Sequence, residues 1–101
     1  MKKQYDDAIS DFTEIIMLDP NDVSTYEGRG DAYYQKDQYD AAISDYSEAI
    51  RLEPDDGDNY AYRGRVYRQL GKKSQAIQDF EKALSLDANL EWVMQELQEL
   101  R

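Results

Sequence analysis

Tyr39 to Asp56 reads YDAAISDYSEAIRLEPDD, an amphipathic helix followed by its exit turn. Thirty-four residues earlier, Tyr5 to Asp22 reads YDDAISDFTEIIMLDPND and agrees at Tyr, Asp, Ala, Ile, Ser, Asp, Glu, Ile, Leu, Pro and Asp. Thirty-four residues later, Lys73 to Leu90 reads KSQAIQDFEKALSLDANL and keeps Ala76, Ile77, Asp79, Ala83 and Leu86. A fixed period of this length is the signature of stacked helical repeats, in which each unit buries its apolar face only against its neighbours.

Within the copies the spacing predicts two kinds of helix. Residues 5–18 carry Ala8, Ile9, Phe12, Ile15 and Ile16 at three- and four-residue steps, with Asp6, Asp7, Asp11 and Glu14 mostly off that stripe. Pro20 ends the helix because it has no amide donor and disfavours helix in the residue before it. Asn21 and Asp22 are placed to cap the next helix through their side-chain oxygens. That helix, about residues 23–36, is rich in Tyr and Gly (Tyr26, Gly28, Gly30, Tyr33, Tyr34), and residues 57–70 repeat it with Tyr60, Arg63, Gly64 and Tyr67. A helical glycine costs about 1 kcal/mol relative to alanine, so Gly30 and Gly64 in one slot imply a close helix contact. Gly71 is a C-terminal cap. A last helix over about 89–100 presents Val93, Met94, Leu97 and Leu100 on one side. The expectation is six helices without a strand, breaking near 19–22, 37–38, 53–57, 71–72 and 87–89.

At these offsets Tyr26, Gly30, Tyr33, Ala42, Tyr46, Ala49 and Pro54 resemble the tetratricopeptide repeat. Tyr60, Gly64, Tyr67, Ala76, Phe80 and Ala83 match again, and Ala8, Phe12 and Pro20 match its second half. Arg29 and Arg63 replace the leucine usual before the glycine, Ala88 replaces the proline, and Gln98 stands where a third glycine would. The resemblance implies an all-α, right-handed superhelical solenoid of antiparallel helix pairs. Its organisation reads as a half repeat over 1–22, full repeats over 23–56 and 57–90, and a capping helix over 91–101. It further implies a concave groove, lined by the first helix of each pair, that binds peptide segments or a helix of another protein.

Composition bounds the rest. With 101 residues the chain is one domain or one piece of a larger array, and no apolar run approaches the length of a membrane span. A soluble, cytoplasmic protein is expected, with no membrane partner. The formal charge of −10 lies in residues 1–56, which hold 15 Asp/Glu against 5 Lys/Arg, while residues 57–101 hold 7 of each. This argues against nucleic acid, whose phosphates need clustered basic charge. There is no His and no Cys, so the side chains best suited to proton transfer and thiolate chemistry are missing and no enzyme is expected. Ser10 and Ser44 recur only because the repeat recurs, and Asp45 and Asp79 read as solvated charges on the helix exterior. No cofactor is expected. The acidic turns at 19–22 and 53–58 fail the calcium-loop pattern, because counting back from Gly57 puts Leu52 in the first position; helix capping explains their acids.

Helical spacing identifies a polar side on the first-type helices, and the resemblance implies that this side faces the groove. Ser24, Glu27, Asp31 and Tyr34 share a side of their helix, and so do Asp58, Ala61, Arg65 and Arg68, then Trp92, Gln95 and Glu99. Asp31, Arg65 and Glu99 are equivalent positions that would form a row of alternating charge; as a solvated ladder such pairs contribute up to about 1 kcal/mol. Arg68, without a flanking acid, is placed to take a carboxylate through its planar fork. Trp92 is either a groove anchor or part of an end cap. The members of the family that clamp a terminal carboxylate do so at positions here occupied by Glu27, Asp31, Ala61 and Arg65, so the resemblance does not extend to that clamp. The leading expectation is a protein-interaction module with a peptide or protein partner. The alternative is a structural module that associates end to end, because the chain begins with an unpaired second-type helix and ends with an unpaired first-type helix, as a piece of a longer array would. A monomer with weak end-to-end association is expected.

Overall fold

The computed structural model describes residues 2–101. Six helices follow one another without a strand among the described residues: α1 (Lys2–Leu18), α2 (Val23–Gln35), α3 (Tyr39–Leu52), α4 (Gly57–Gln69), α5 (Lys73–Leu86) and α6 (Glu91–Leu100). Each packs principally on its neighbours in the chain, which makes a solenoid with extents of 39 × 27 × 19 Å. The breaks lie where the spacing placed them, except that α6 starts two residues later than Asn89.

Local chemistry sets the helix ends. Asp22 and Asp56 are N-caps, accepting from the amides of Ser24 at 3.1 Å and Asp58 at 3.0 Å. The α2–α3 and α4–α5 turns are built alike: Gln38 N–H donates to the Tyr33 carbonyl and Lys72 N–H to the Tyr67 carbonyl, both at 2.9 Å. Between them Gly71 takes φ +76°, and its counterpart Asp37 takes φ +61° with a side chain. The α5 helix ends in register with α1 and α3 although Ala88 replaces proline. There the Asp87 carboxylate accepts from Asn89 N–H at 3.0 Å and folds the exit turn by itself.

The core is a ladder of small and aromatic residues. Ala42, Tyr46 and Val66 form one buried cluster; Ala61, Ala76, Phe80, Ala83, Val93 and Leu97 form another. The glycines are where rings press on the backbone. A Cβ on Gly30 would lie 3.1 Å from the Tyr46 ring, and one on Gly64 2.9 Å from the Phe80 ring.

Asp45 and Asp79 correct the expectation of solvated exterior charge, being only 3% and 5% exposed. Arg29 Nε and Nη2 donate to the two Asp45 oxygens at 2.8 and 2.7 Å, and Arg63 donates likewise to Asp79 at 2.8 Å twice. The remaining Nη1 reaches back one repeat, from Arg29 to Thr13 Oγ1 at 3.2 Å and from Arg63 to Ser47 Oγ at 3.1 Å. Each arginine therefore ties three helices together, which is why it stands where an apolar residue would otherwise pack. The polarity of the two acids misled the spacing argument; a buried carboxylate is tolerated when a bidentate guanidinium satisfies it.

Candidate functional site

Helices α2, α4 and α6 stand side by side, with one hollow where α2 meets α4 and a second along α6. The larger, of about 650 Å³, is lined by Glu27, Gly28, Asp31, Tyr46, Asp56, Asp58, Tyr62 and Arg65. The smaller, of about 280 Å³, is lined by Trp92, Gln95, Glu96 and Glu99.

The larger hollow holds four carboxylates and one guanidinium. Arg65 lies 3.5 Å from Asp31 and is held over the Tyr34 ring at 4.2 Å, with the Tyr62 ring at 5.5 Å. Glu27, Asp56 and Asp58 meet no cation among the described residues. Burial raises the Glu27 carboxyl above the usual carboxylate range, and the like charges of Asp56, Glu53 and Asp58 add to this. The neighbouring Asn59 amide pulls the other way, although neither of its buried polar atoms completes a hydrogen bond within the chain. Asp58 is likewise raised, by burial first and then by Asp56 and Asp87. The Tyr46 and Tyr62 hydroxyls are pushed up mainly by burial.

An aromatic run forms the wall beneath. Tyr46 packs on Tyr62 with centroids 5.6 Å apart, and Tyr62 stacks on Trp92 at 6.1 Å. The Trp92 ring also meets the Phe80 edge at 6.3 Å while remaining 37% exposed, so it packs in the end of the solenoid and lines the smaller hollow at once.

The structure thus brings Glu27, Asp31, Asp58 and Arg65 together in one hollow and Trp92, Gln95 and Glu99 in the other. It does not bring the remaining candidates there. Ala61 is fully buried in the core and offers no surface, because the small side chain lets α4 close on its neighbour. The Ser24 hydroxyl donates to Asp22 at 2.7 Å as part of the cap. Tyr34 lies against Tyr39 at 5.7 Å, under Arg65. Arg68 is not free to take a carboxylate from outside: it pairs with Glu96 and, at 2.9 Å, with Glu99. That pairing also breaks the expected charge row, since Glu99 meets Arg68 and only Asp31 meets Arg65. The hollows add Gly28, Tyr46, Asp56, Tyr62 and Glu96. The signal for three of them was present, because Gly28, Tyr62 and Glu96 occupy one repeat slot, immediately after that of Glu27, Ala61 and Gln95.

Fold and wall together define a class: an α-solenoid of repeated helix hairpins with the first helix of each hairpin on one face. The chain matches the TPR repeat over residues 30–71 and the tetratricopeptide repeat over 58–90. The second TPR domain of human RPAP3, solved in complex with the HSP70 peptide SGPTIEEVD, is 31% identical; the match covers 97% of this chain and 82% of that one, with a TM-score of 0.90. The first TPR of Spaghetti (RPAP3), bound to the HSP90 peptide SRMEEVD, is 28% identical over 97% and 78% of the two chains, with a TM-score of 0.92. The Arabidopsis OM64 TPR domain is 25% identical over 98% and 82%, with a TM-score of 0.92. No curated protein matches the chain. The chain belongs to the tetratricopeptide repeat family.

Proposed function

We propose that this chain is a protein-interaction module that holds a peptide segment of a partner against α2, α4 and α6, with a basic side chain of that segment in the larger hollow. The observation that carries the reading is the charge of that hollow, where Glu27, Asp56 and Asp58 have no cation of their own. Arg65, the one guanidinium of the hollow, is paired with Asp31, and the other arginines are engaged elsewhere: Arg29 with Asp45, Arg63 with Asp79, Arg51 with Glu48, Arg68 with Glu96 and Glu99, and Arg101 with Glu81. A lysine or arginine from outside would meet two half-buried carboxylates and the face of Tyr62, a combination that favours a cation over water.

The peptides bound to the two RPAP3 domains support a peptide as ligand. Their acidic ends are not carried over, because Glu27 and Asp31 would repel them. Binding rather than catalysis is the role, given a sequence with neither His nor Cys.

The test is a peptide array probed with the chain and with a Glu27→Gln, Asp58→Asn variant. Peptides with a lysine or arginine are expected to be retained by the chain and lost by the variant. Equal retention by both proteins, or preference for acidic ends, would overturn the reading.

A further inference from the structure

The Asn59 side chain is fully buried, and neither its Oδ1 nor its Nδ2 has a hydrogen-bond partner among the described residues. Packing does not call for an amide there. The repeat register puts Thr25 and Val93 in the same slot of α2 and α6, both of them buried. Thr25 lies against the capping carboxylate of Asp22, and Val93 belongs to the apolar core. An unpaired buried amide weakens the fold, so its presence at this slot points to a partner from outside. Its position shows where that partner enters. The amide lies beside the Glu27 carboxylate, which lines the larger hollow.

The chain shows twice how it holds a guanidinium. Arg29 donates through Nε and Nη2 to the two Asp45 oxygens and through Nη1 to the Thr13 hydroxyl. Arg63 does the same with Asp79 and the Ser47 hydroxyl. Each thus takes one carboxylate and one neutral side-chain oxygen beside a tyrosine ring, Tyr33 and Tyr60, both at 5.7 Å. The hollow brings the same three kinds of group together in Glu27, Asn59 and the rings of Tyr46 and Tyr62. Its far wall already seats one planar group, since Arg65 lies 4.2 Å from the Tyr34 ring and 3.5 Å from Asp31.

We infer that the larger hollow selects arginine over lysine, the guanidinium of the ligand donating to the Glu27 carboxylate along one edge and to Asn59 Oδ1 through a remaining N–H. The inference rests on the reading of the hollow as the seat of a basic side chain, and adds which one it is. Arginine carries five donors in a plane and can fork onto a carboxylate while reaching a second oxygen. A lysine ammonium is a compact, strongly hydrated charge that Glu27, Asp56 and Asp58 attract but that cannot span both acceptors. The acids therefore supply attraction for either cation, and Asn59 supplies the preference. Glu27 is half-buried and flexible, so its swing toward the entering side chain uncovers the amide behind it.

The test uses the full chain and three capped peptides, Gly-Gly-Xaa-Gly-Gly, in which Xaa is arginine, lysine or citrulline, the neutral isostere of arginine. Titration followed by amide chemical shifts should give an affinity for the arginine peptide about tenfold or more above that for lysine, and none for citrulline. The Asn59 side-chain amide signals should move with arginine and stay in place with lysine. Asn59→Val, which copies the equivalent slot of α6, should bring arginine down to the lysine level and leave lysine unchanged. Asn59→Thr, which retains a side-chain oxygen, should keep part of the preference. The comparison in the unaltered chain decides even where a variant fails to fold. Equal affinity for arginine and lysine, or a preference untouched by Asn59→Val, would overturn the inference and leave the basic-side-chain reading standing. Failure of both basic peptides to bind would overturn the two together.

Discussion

Arg63 and Asp79 meet through two parallel hydrogen bonds of 2.8 Å, and Arg29 and Asp45 repeat the same fork one repeat earlier. The acids are buried and the arginines only partly exposed, so each pair sits where removal of one partner strands a charge. Their cost and their use are therefore separable by experiment.

Arg63→Leu alone should destabilise the chain by about 2–3 kcal/mol, less than a fully buried pair because Arg63 keeps some exposure. Adding Asp79→Leu should restore much of the loss, since Leu97 already fills the equivalent slot in α6 with an apolar side chain. Urea denaturation of the two single variants and the double variant gives the coupling. Additive losses would show that the fork contributes nothing specific.

Gly64→Ala should cost about 1–3 kcal/mol even though alanine is the better helix former, because its Cβ would lie 2.9 Å from the Phe80 ring and 3.2 Å from Asp79 Cβ. Gly28→Ala should cost less. There the obstacle is the far end of the Phe12 side chain, which yields more easily than the Phe80 ring and the Asp79 Cβ that face Gly64. Melting midpoints compare the two directly.

Asp37 and Gly71 share a left-handed position and predict opposite signs. Asp37→Gly should stabilise by up to about 1 kcal/mol, by relieving the Cβ at φ +61°, against the loss of the exposed hydrogen bond from the Tyr39 hydroxyl. Gly71→Ala should destabilise by about 1 kcal/mol. Thermal melts check both.

If the larger hollow takes a basic side chain as proposed, Glu27 and Asp58 set the pH dependence of ligand binding. Burial raises both above their usual range, so on acidification they take up protons before ordinary carboxyls near about 4 do. Affinity for a basic peptide should be full at neutral pH and begin to fall above that range. The sign for the fold is opposite. The folded state holds these protons more tightly than the unfolded chain, so their contribution to stability falls as pH rises from the ordinary to the raised value. Glu27→Gln should therefore raise the melting midpoint at neutral pH while weakening the ligand. Calorimetric titration and melts across pH measure both.

The periodic residues determined the path of the chain. Alanines, aromatics and glycines recurring at one interval dictate which helix faces must be buried. Pro20, Pro54, Gly71 and the capping acids mark where each helix stops. These are local or nearest-neighbour effects, which is why the six helices and the family were legible. What the sequence left undecided was the partner of each charge. Arg29, Arg63 and Arg68 look alike in a helical projection, yet two fork onto buried acids sixteen residues away and one bridges to α6. Ala61 was read onto the groove and Asp45 onto solvent, and the structure buries both. A helical wheel gives direction about one axis only. Burial depends on how deeply two helices approach, and only the tertiary packing sets that distance.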